Sequence, residues 1–212
     1  MNDFRPYSVN IEITLACDLR CGHCGSSAGR PRPDELTFDE LSACFADLAD
    51  LGCEEVCLLG GEALLRRDWA ELCEEVGRSG LGLVLITNGT HVDAGVVGRL
   101  ATMPHLRRVG VSLDAADPEV HDAIRGRAGT HARAVGALFA LRDAGIETGA
   151  ITTVSRKNLD QLAPLRDLLV GQNLTWQIQM ASPGGLRFDR GDHLAPEEFY
   201  EIGRFISECR VE

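Results

Sequence analysis

The stretch Thr14-Leu-Ala-Cys17-Asp-Leu-Arg-Cys21-Gly-His-Cys24-Gly25 opens on the last residues of an apolar, β-rich segment that runs from Ser8 to Leu15. A strand therefore feeds a loop that carries Cys17, Cys21 and Cys24 at close spacing. Three thiolates so placed can bind one metal cluster and leave one position unfilled. A cubane iron–sulfur cluster held only by protein takes four cysteines, whereas three leave one iron free for an exogenous ligand. Structural zinc takes a complete set of four Cys or His ligands. His23 could complete such a set, but it adjoins Cys24, and adjacent side chains point in different directions. Inert packing is the third reading, since free cysteine behaves as a small hydrophobe. The polar neighbours Asp18, Arg20, Gly22 and Gly25 argue instead for a loop.

Outward from that loop, β-rich segments recur at Glu54 to Leu59, Gly82 to Thr87, Arg107 to Leu113, Glu147 to Val154 and Thr175 to Met180. Helical patterns lie between them. Thr37-Phe-Asp-Glu40 has capping-box spacing before a helix to about Leu51, with Gly52 as its stop. Further helices are read at Asp68 to Gly80, Asp93 to Met103, His131 to Ala144, Leu159 to Val170 and Pro196 to Cys209, and Asp117-Pro118 supplies another cap. Such alternation implies an α/β chain with a parallel sheet of βαβ units. Six units in this length suit an open, partial (βα)6 barrel better than a closed eight-stranded one. No repeat or linker divides residues 1–212, which read as one domain, and Gly29 to Asp34 reads as an extension of the cysteine loop.

Composition bounds the partners. The chain has 212 residues, 44% of them hydrophobic, enough for one sizeable core. A net charge of −11 and 21 scattered basic residues exclude nucleic acid as the expected partner. No apolar run approaches a membrane span, and Met1-Asn-Asp-Phe-Arg-Pro6 lacks the apolar core of a signal peptide. The eight cysteines do not form the framework of a small secreted domain, so a cytoplasmic location is expected. Cys44, Cys53, Cys57, Cys73 and Cys209 are expected to pack, and the ligand-like interval between Cys53 and Cys57 is assigned no chemistry.

Three more motifs follow the cysteines: Leu58-Leu59-Gly60-Gly61-Glu62, Ile86-Thr87-Asn88-Gly89 and Val111-Ser112-Leu113-Asp114. Each falls at the end of a predicted strand, and parallel α/β sheets bind ligands at the carboxyl ends of their strands. Together with Cys-x3-Cys-x2-Cys, these elements resemble the radical S-adenosylmethionine enzymes, from about Val9 to Met180. The resemblance implies a 4Fe-4S cluster on Cys17, Cys21 and Cys24, with the amino and carboxylate groups of S-adenosylmethionine on the open iron. It also implies reductive cleavage of that sulfonium to a 5′-deoxyadenosyl radical, which removes hydrogen from a second substrate. The cofactor supplies the difficult step, and the protein supplies orientation, a tuned potential and exclusion of water and oxygen.

By the same resemblance, Gly60 and Gly61 admit the ligand closely and Glu62 accepts from the methionyl ammonium. An ordinary strand-to-helix turn is the plainer reading of that triplet. Ser112 and Asp114 suit ribose hydroxyls or the methionyl head group, or else a strand end. Asn88 could bond a ribose or simply take the turn before Gly89. Arg125 and Arg133 are candidates for the methionyl carboxylate, each alternatively a solvated surface charge. Thr152 and Ser155 either line the adenosine pocket or serve packing and turn capping. The residue before the last cysteine is commonly aromatic in the family; His23 stands there and can stack or hydrogen-bond. His121 and His131 are read as surface or capping residues. No residue is singled out as completing the reaction.

The run from Ile11 to Thr37, with Trp176-Gln-Ile-Gln-Met180, is similar to radical maturases of ribosomally made peptides, particularly those associated with short GDL-motif precursors. Members of that branch continue into a SPASM domain, and no such domain is expected within residues 1–212. A peptide substrate, an external electron donor and a partner chain supplying a carboxyl-terminal domain are the partners implied. The alternatives are a tetrapyrrole or other cofactor precursor as substrate, or a non-catalytic iron–sulfur or S-adenosylmethionine-binding partner protein.

Overall fold

Residues alternating between two environments build the sheet. Along β2 (Glu55–Leu59), Val56 and Leu58 enter the core shared with the helices while Cys57 faces a cavity. In β3 (Gly82–Thr87), Leu83 and Leu85 pack outward and Val84 and Ile86 inward. Successive strand side chains point to opposite faces, so one face is coated by helices and the other lines the concavity. The computed structural model describes residues 5–209. Met1 to Phe4 and Arg210 to Glu212, on which part of the terminal reading rests, lie outside the described residues.

The strands β1 (Ser8–Glu12), β2, β3, β4 (Leu106–Ser112), β5 (Thr148–Val154) and β6 (Thr175–Met180) form one parallel sheet in sequence order. Among the described residues β1 pairs only with β2, and β6 only with β5, so the sheet curls into a half-barrel without closing. This is the expected open (βα)6 architecture. The helices are α1 (Phe38–Asp50), α2 (Trp69–Arg78), α3 (Ala94–Ala101), α4 (Pro118–Arg125), α5 (Thr130–Asp143), α6 (Leu162–Leu169) and α7 (Pro196–Cys209). A 3-10 turn, Leu159–Gln161, occupies the start of the expected helix before α6.

Local chemistry sets the ends. The capping box of α1 is present: Thr37 Oγ1 accepts from Glu40 N at 3.3 Å, and Glu40 Oε2 accepts from Thr37 N at 2.8 Å. Asp117 caps α4 by accepting from Glu119 N at 2.8 Å, and Gly126 ends it at φ 72°, a conformation that favours glycine. That helix places Arg125 in its last turn, beside the cysteine loop. β1 ends three residues earlier than Leu15, because the chain there bonds to the turn after β2: Gly61 N donates to Thr14 O and Glu62 N to Ala16 O, both at 2.7 Å.

Candidate metal centre and binding cavity

The cysteine loop is closed at its neck and seated on α4. Cys17 N donates to Gly29 O at 3.2 Å and Gly29 N to Leu15 O at 2.8 Å. Arg20 N and Gly22 N donate to the carbonyls of Arg125 and Ile124, at 3.2 and 3.1 Å. Leu19, 2% exposed, anchors the loop in the protein. Cys17, Cys21 and Cys24 all line one cavity of about 600 Å³ in the concavity of the sheet. None of the eight cysteines is in a disulfide.

Each of the three sulfurs receives an N–H donor. Leu19 N lies 3.4 Å from Cys17 Sγ, Arg125 Nη1 lies 3.8 Å from Cys21 Sγ, and Ala28 N lies 3.4 Å from Cys24 Sγ. Asn88 Nδ2 adds a longer contact to Cys17 Sγ at 4.0 Å. Such donors stabilise thiolate and tune a cluster's potential. Without a metal, burial pushes the Cys17 thiol up to about 11, and burial also raises Cys21 against the opposing charge of Arg125. Metal binding must displace those protons. Among the described residues no three His, Cys, Asp or Glu side chains converge as a single ion requires. Three cavity-lining thiols, each with its own donor, are one short of the four ligands that a structural zinc site takes and match the number that leaves one iron of a cubane cluster open.

Two carboxylates near the strand ends, Glu62 and Asp114, are held by protein donors. Glu62 is 1% exposed; its Oε1 accepts from Thr87 Oγ1 at 2.8 Å and Leu64 N at 3.2 Å, and its Oε2 from Asn88 N at 2.7 Å. Burial raises its pKa while those donors oppose the shift. It ties the turn after β2 to the end of β3 and stands behind the residues that line the cavity. Gly60 and Gly61 do line it. A Cβ on Gly60 would fall 2.4 Å from Thr14 O, and one on Gly61 2.4 Å from Ala16 O, so the chain entering the cysteine loop itself requires both glycines.

Asp114 is fully buried. Its Oδ1 accepts from Thr153 N at 3.0 Å, while Oδ2 lies 2.8 Å from Arg125 Nε and 3.7 Å from His23 Nε2. The Arg125 contact is an ion pair without an aligned N–H···O bond. Burial would raise the Asp114 carboxyl, yet Arg125 and His23 together hold it below the usual range. Arg125, 7% exposed, is therefore not a solvated surface charge: it bridges Asp114 to Cys21 and lines the cavity. On the cavity wall, burial lowers the His23 pKa against the pull of Asp114.

Ser112 and Asn88 line the cavity. Asn88 is also tied to the cysteine loop, donating from Nδ2 to Asp18 Oδ1 at 3.0 Å. Thr152 and Ser155 are absent from the cavity wall. Thr152 Oγ1 donates to Leu113 O and accepts from Trp176 Nε1, and Ser155 N donates to Asn158 Oδ1, so packing and turn capping are their roles. Their strand neighbour Thr153 faces the cavity instead. Arg133 Nη1 donates to Thr90 O at 3.0 Å, away from the cavity.

His121 is 1% exposed, which corrects its reading as a surface residue. Its Nδ1 accepts from Asp114 N at 3.1 Å, and burial pushes its pKa down to about 4. Cys57 faces the cavity, where burial lifts its thiol to about 11. Sequence reasoning missed Asp18, which accepts from Asn88, Thr90 and Arg127, and Asn158, which donates to Asp114 O at 2.7 Å. Asp18 lies between Cys17 and Cys21, inside the cysteine motif; Asn158 carries no comparable signal.

Three thiols, each with an N–H donor, thus line the cavity of a parallel half-barrel. The chain belongs to the Radical SAM superfamily, whose family model matches residues 11–169. Members of this family bind a 4Fe-4S cluster and S-adenosylmethionine. The chain is 32% identical over 209 residues to an AdoMet-dependent heme synthase of Methanosarcina barkeri, covering 98% of this chain and 59% of that one. It is 34% identical over 192 residues to the mycofactocin maturase MftC of Mycolicibacterium smegmatis, covering 90% and 48%. The fold is similar to that of Streptococcus suis SuiB bound to S-adenosylmethionine, with a TM-score of 0.84, 17% identity and coverage of 96% and 47%. The chain thus spans about half of the lengths of the proteins it resembles.

Proposed function

We propose that this chain is a catalytic core that cleaves S-adenosylmethionine reductively and acts on a ribosomally made peptide. The observation that carries the reading is the set of three cavity-lining cysteines, each with an N–H donor on its sulfur. Cys17, Cys21 and Cys24 would hold the 4Fe-4S cluster. When bound, that cluster supplies the electron that breaks a carbon–sulfur bond of S-adenosylmethionine and releases a 5′-deoxyadenosyl radical.

The protein's own contribution is positional. The backbone of Gly60 and Gly61, the hydroxyl of Ser112, the amide of Asn88 and the imidazole of His23 offer the polar surface for the nucleotide. Glu62 and Asp114 hold those segments from behind. Arg125, already paired with Asp114, keeps a positive charge beside the Cys21 sulfur.

A peptide is favoured over a tetrapyrrole because Asn10, Gln177 and Gln179 bring amide groups to the cavity wall, where they can pair with peptide backbone. The named activity of the MftC relative agrees. The second reading, a tetrapyrrole substrate, rests on the similarity to the heme synthase. Among the described residues no helix is long and apolar enough to cross a membrane. A cytoplasmic setting, an external one-electron donor, a single core domain over residues 1–212 and a partner chain supplying a carboxyl-terminal domain complete the proposal. The test is mass spectrometry of anaerobic reactions that offer either a candidate precursor peptide or a porphyrinogen. Modification of the peptide alone supports the reading, and modification of the tetrapyrrole alone overturns it.

A further inference from the structure

The segment after β6 returns to the cysteine loop across about 160 residues of sequence and grips it by its backbone. Arg187 donates from Nε to Cys21 O at 3.1 Å, from Nη1 to Ser27 O at 3.2 Å and from Nη2 to Ala28 O at 3.1 Å. Leu186 N donates to Ser27 Oγ at 2.8 Å. Gly185 lies so close that a Cβ there would sit 1.9 Å from Cys24 O. Ser27, the residue gripped twice, has φ 52°, a left-handed conformation that costs a non-glycine residue energy and persists only where its surroundings fix it.

The carbonyl of Ser27 and the N–H of Ala28 belong to one peptide group. Its oxygen accepts from Arg187 Nη1, and its nitrogen donates to Cys24 Sγ at 3.4 Å. Hydrogen bonds in series polarise one another, so a guanidinium on that oxygen strengthens the N–H donor on the sulfur. Donors to cluster sulfurs and nearby positive charge raise a cluster's reduction potential. The two other carbonyls fix the turn at its Cys21 and Ala28 ends.

We infer that Arg187 is a positioning residue that acts through the Ser27–Ala28 peptide on Cys24, tuning the potential of the cluster and its retention. The inference rests on the proposed function. Arg187 also lines the cavity, so the strap joins the loop and the binding space in one unit. Lysine in its place keeps the charge but cannot serve three divergent carbonyls at once.

The test compares the full chain, Arg187→Gln and Arg187→Lys after anaerobic reconstitution. Redox titration followed by electron paramagnetic resonance gives the potential, iron transfer to a chelator gives retention, and urea unfolding of the metal-free proteins controls for the fold. Arg187→Gln is expected to have a more negative potential and to lose iron about tenfold faster, the scale of outer-shell effects on metal sites. Arg187→Lys restores part of the potential and little of the retention. Variants that match the wild type in both potential and iron loss overturn the inference alone. Should Arg187→Gln not fold, the lysine variant carries the same test, and wild-type retention with wild-type potential there has the same force. A wild-type chain that takes up no cluster overturns the proposed function and this inference with it.

Discussion

Replacing Asp114 by Asn removes one charge and almost no volume, which isolates the worth of the buried ion pair beside the cysteines. Asp114 has no solvent exposure and Arg125 has 7%, and their nearest atoms are 2.8 Å apart. Coulomb's law at an effective dielectric near 20 gives about 6 kcal/mol at that distance. Breaking buried pairs by deleting one partner costs about 3–5 kcal/mol, because the remaining charge is left uncompensated. Asparagine retains an acceptor for Thr153 N, so the loss is assigned to the charge. Urea unfolding of the metal-free chain at neutral pH measures it. With a slope of about 2 kcal/mol/M, the midpoint falls by roughly 2 M. A cycle with Arg125→Gln and the double variant isolates the pair, since Arg125→Gln alone is also destabilising whereas the double variant recovers part of the loss. A change below about 1 kcal/mol in Asp114→Asn, or strict additivity in the cycle, refutes the reasoning.

His121 ties stability to pH. Its folded-state pKa of about 4 lies below the ordinary 6.5, so the unfolded chain binds the proton more readily. Its contribution is complete above pH 6.5 and is lost as pH falls toward 4, with about 2 kcal/mol gone by pH 5. The urea midpoint of the wild type should therefore fall more steeply from pH 7 to pH 5 than that of His121→Gln, and parallel curves count against it. Glu62→Gln presents an amide N–H₂ to donors that now face a carboxylate, so a loss of about 1–3 kcal/mol is expected in the same assay. An unchanged midpoint would remove the bracing role. Gly61→Ala forces a methyl against the Leu15 and Ala16 carbonyls and should cost about 1–3 kcal/mol with reduced iron uptake on reconstitution. Normal iron content in a variant of normal stability contradicts that contact.

The half-barrel was legible because a parallel sheet covered on one face writes itself as apolar strands alternating with capped helices. Gly82–Thr87 and Thr175–Met180 were read to the residue. The end of β1 was not, since Thr14 and Ala16 bond to the turn at Gly61 and Glu62, a contact without a local signature. That Cys17, Cys21, Cys24, Asn88 and Ser112 share one cavity was legible from their positions at strand ends. The protein donors of Glu62 and Asp114 were not legible, because residues beyond a strand's end no longer obey its alternation. Arg125 was underestimated because an arginine's burial depends on a distant counter-charge. Arg187 was invisible, lying in a segment without periodicity whose partners are backbone carbonyls far away in sequence.

The central claim is that Cys17, Cys21 and Cys24 hold a cluster at which S-adenosylmethionine is cleaved. Production of 5′-deoxyadenosine by the anaerobically reconstituted, reduced protein tests it most directly, with a variant lacking all three cysteines as control. The wild type is expected to yield the nucleoside and the control none. Equal amounts from both, or none from a wild type with a full iron load and its electron donor present, would contradict it.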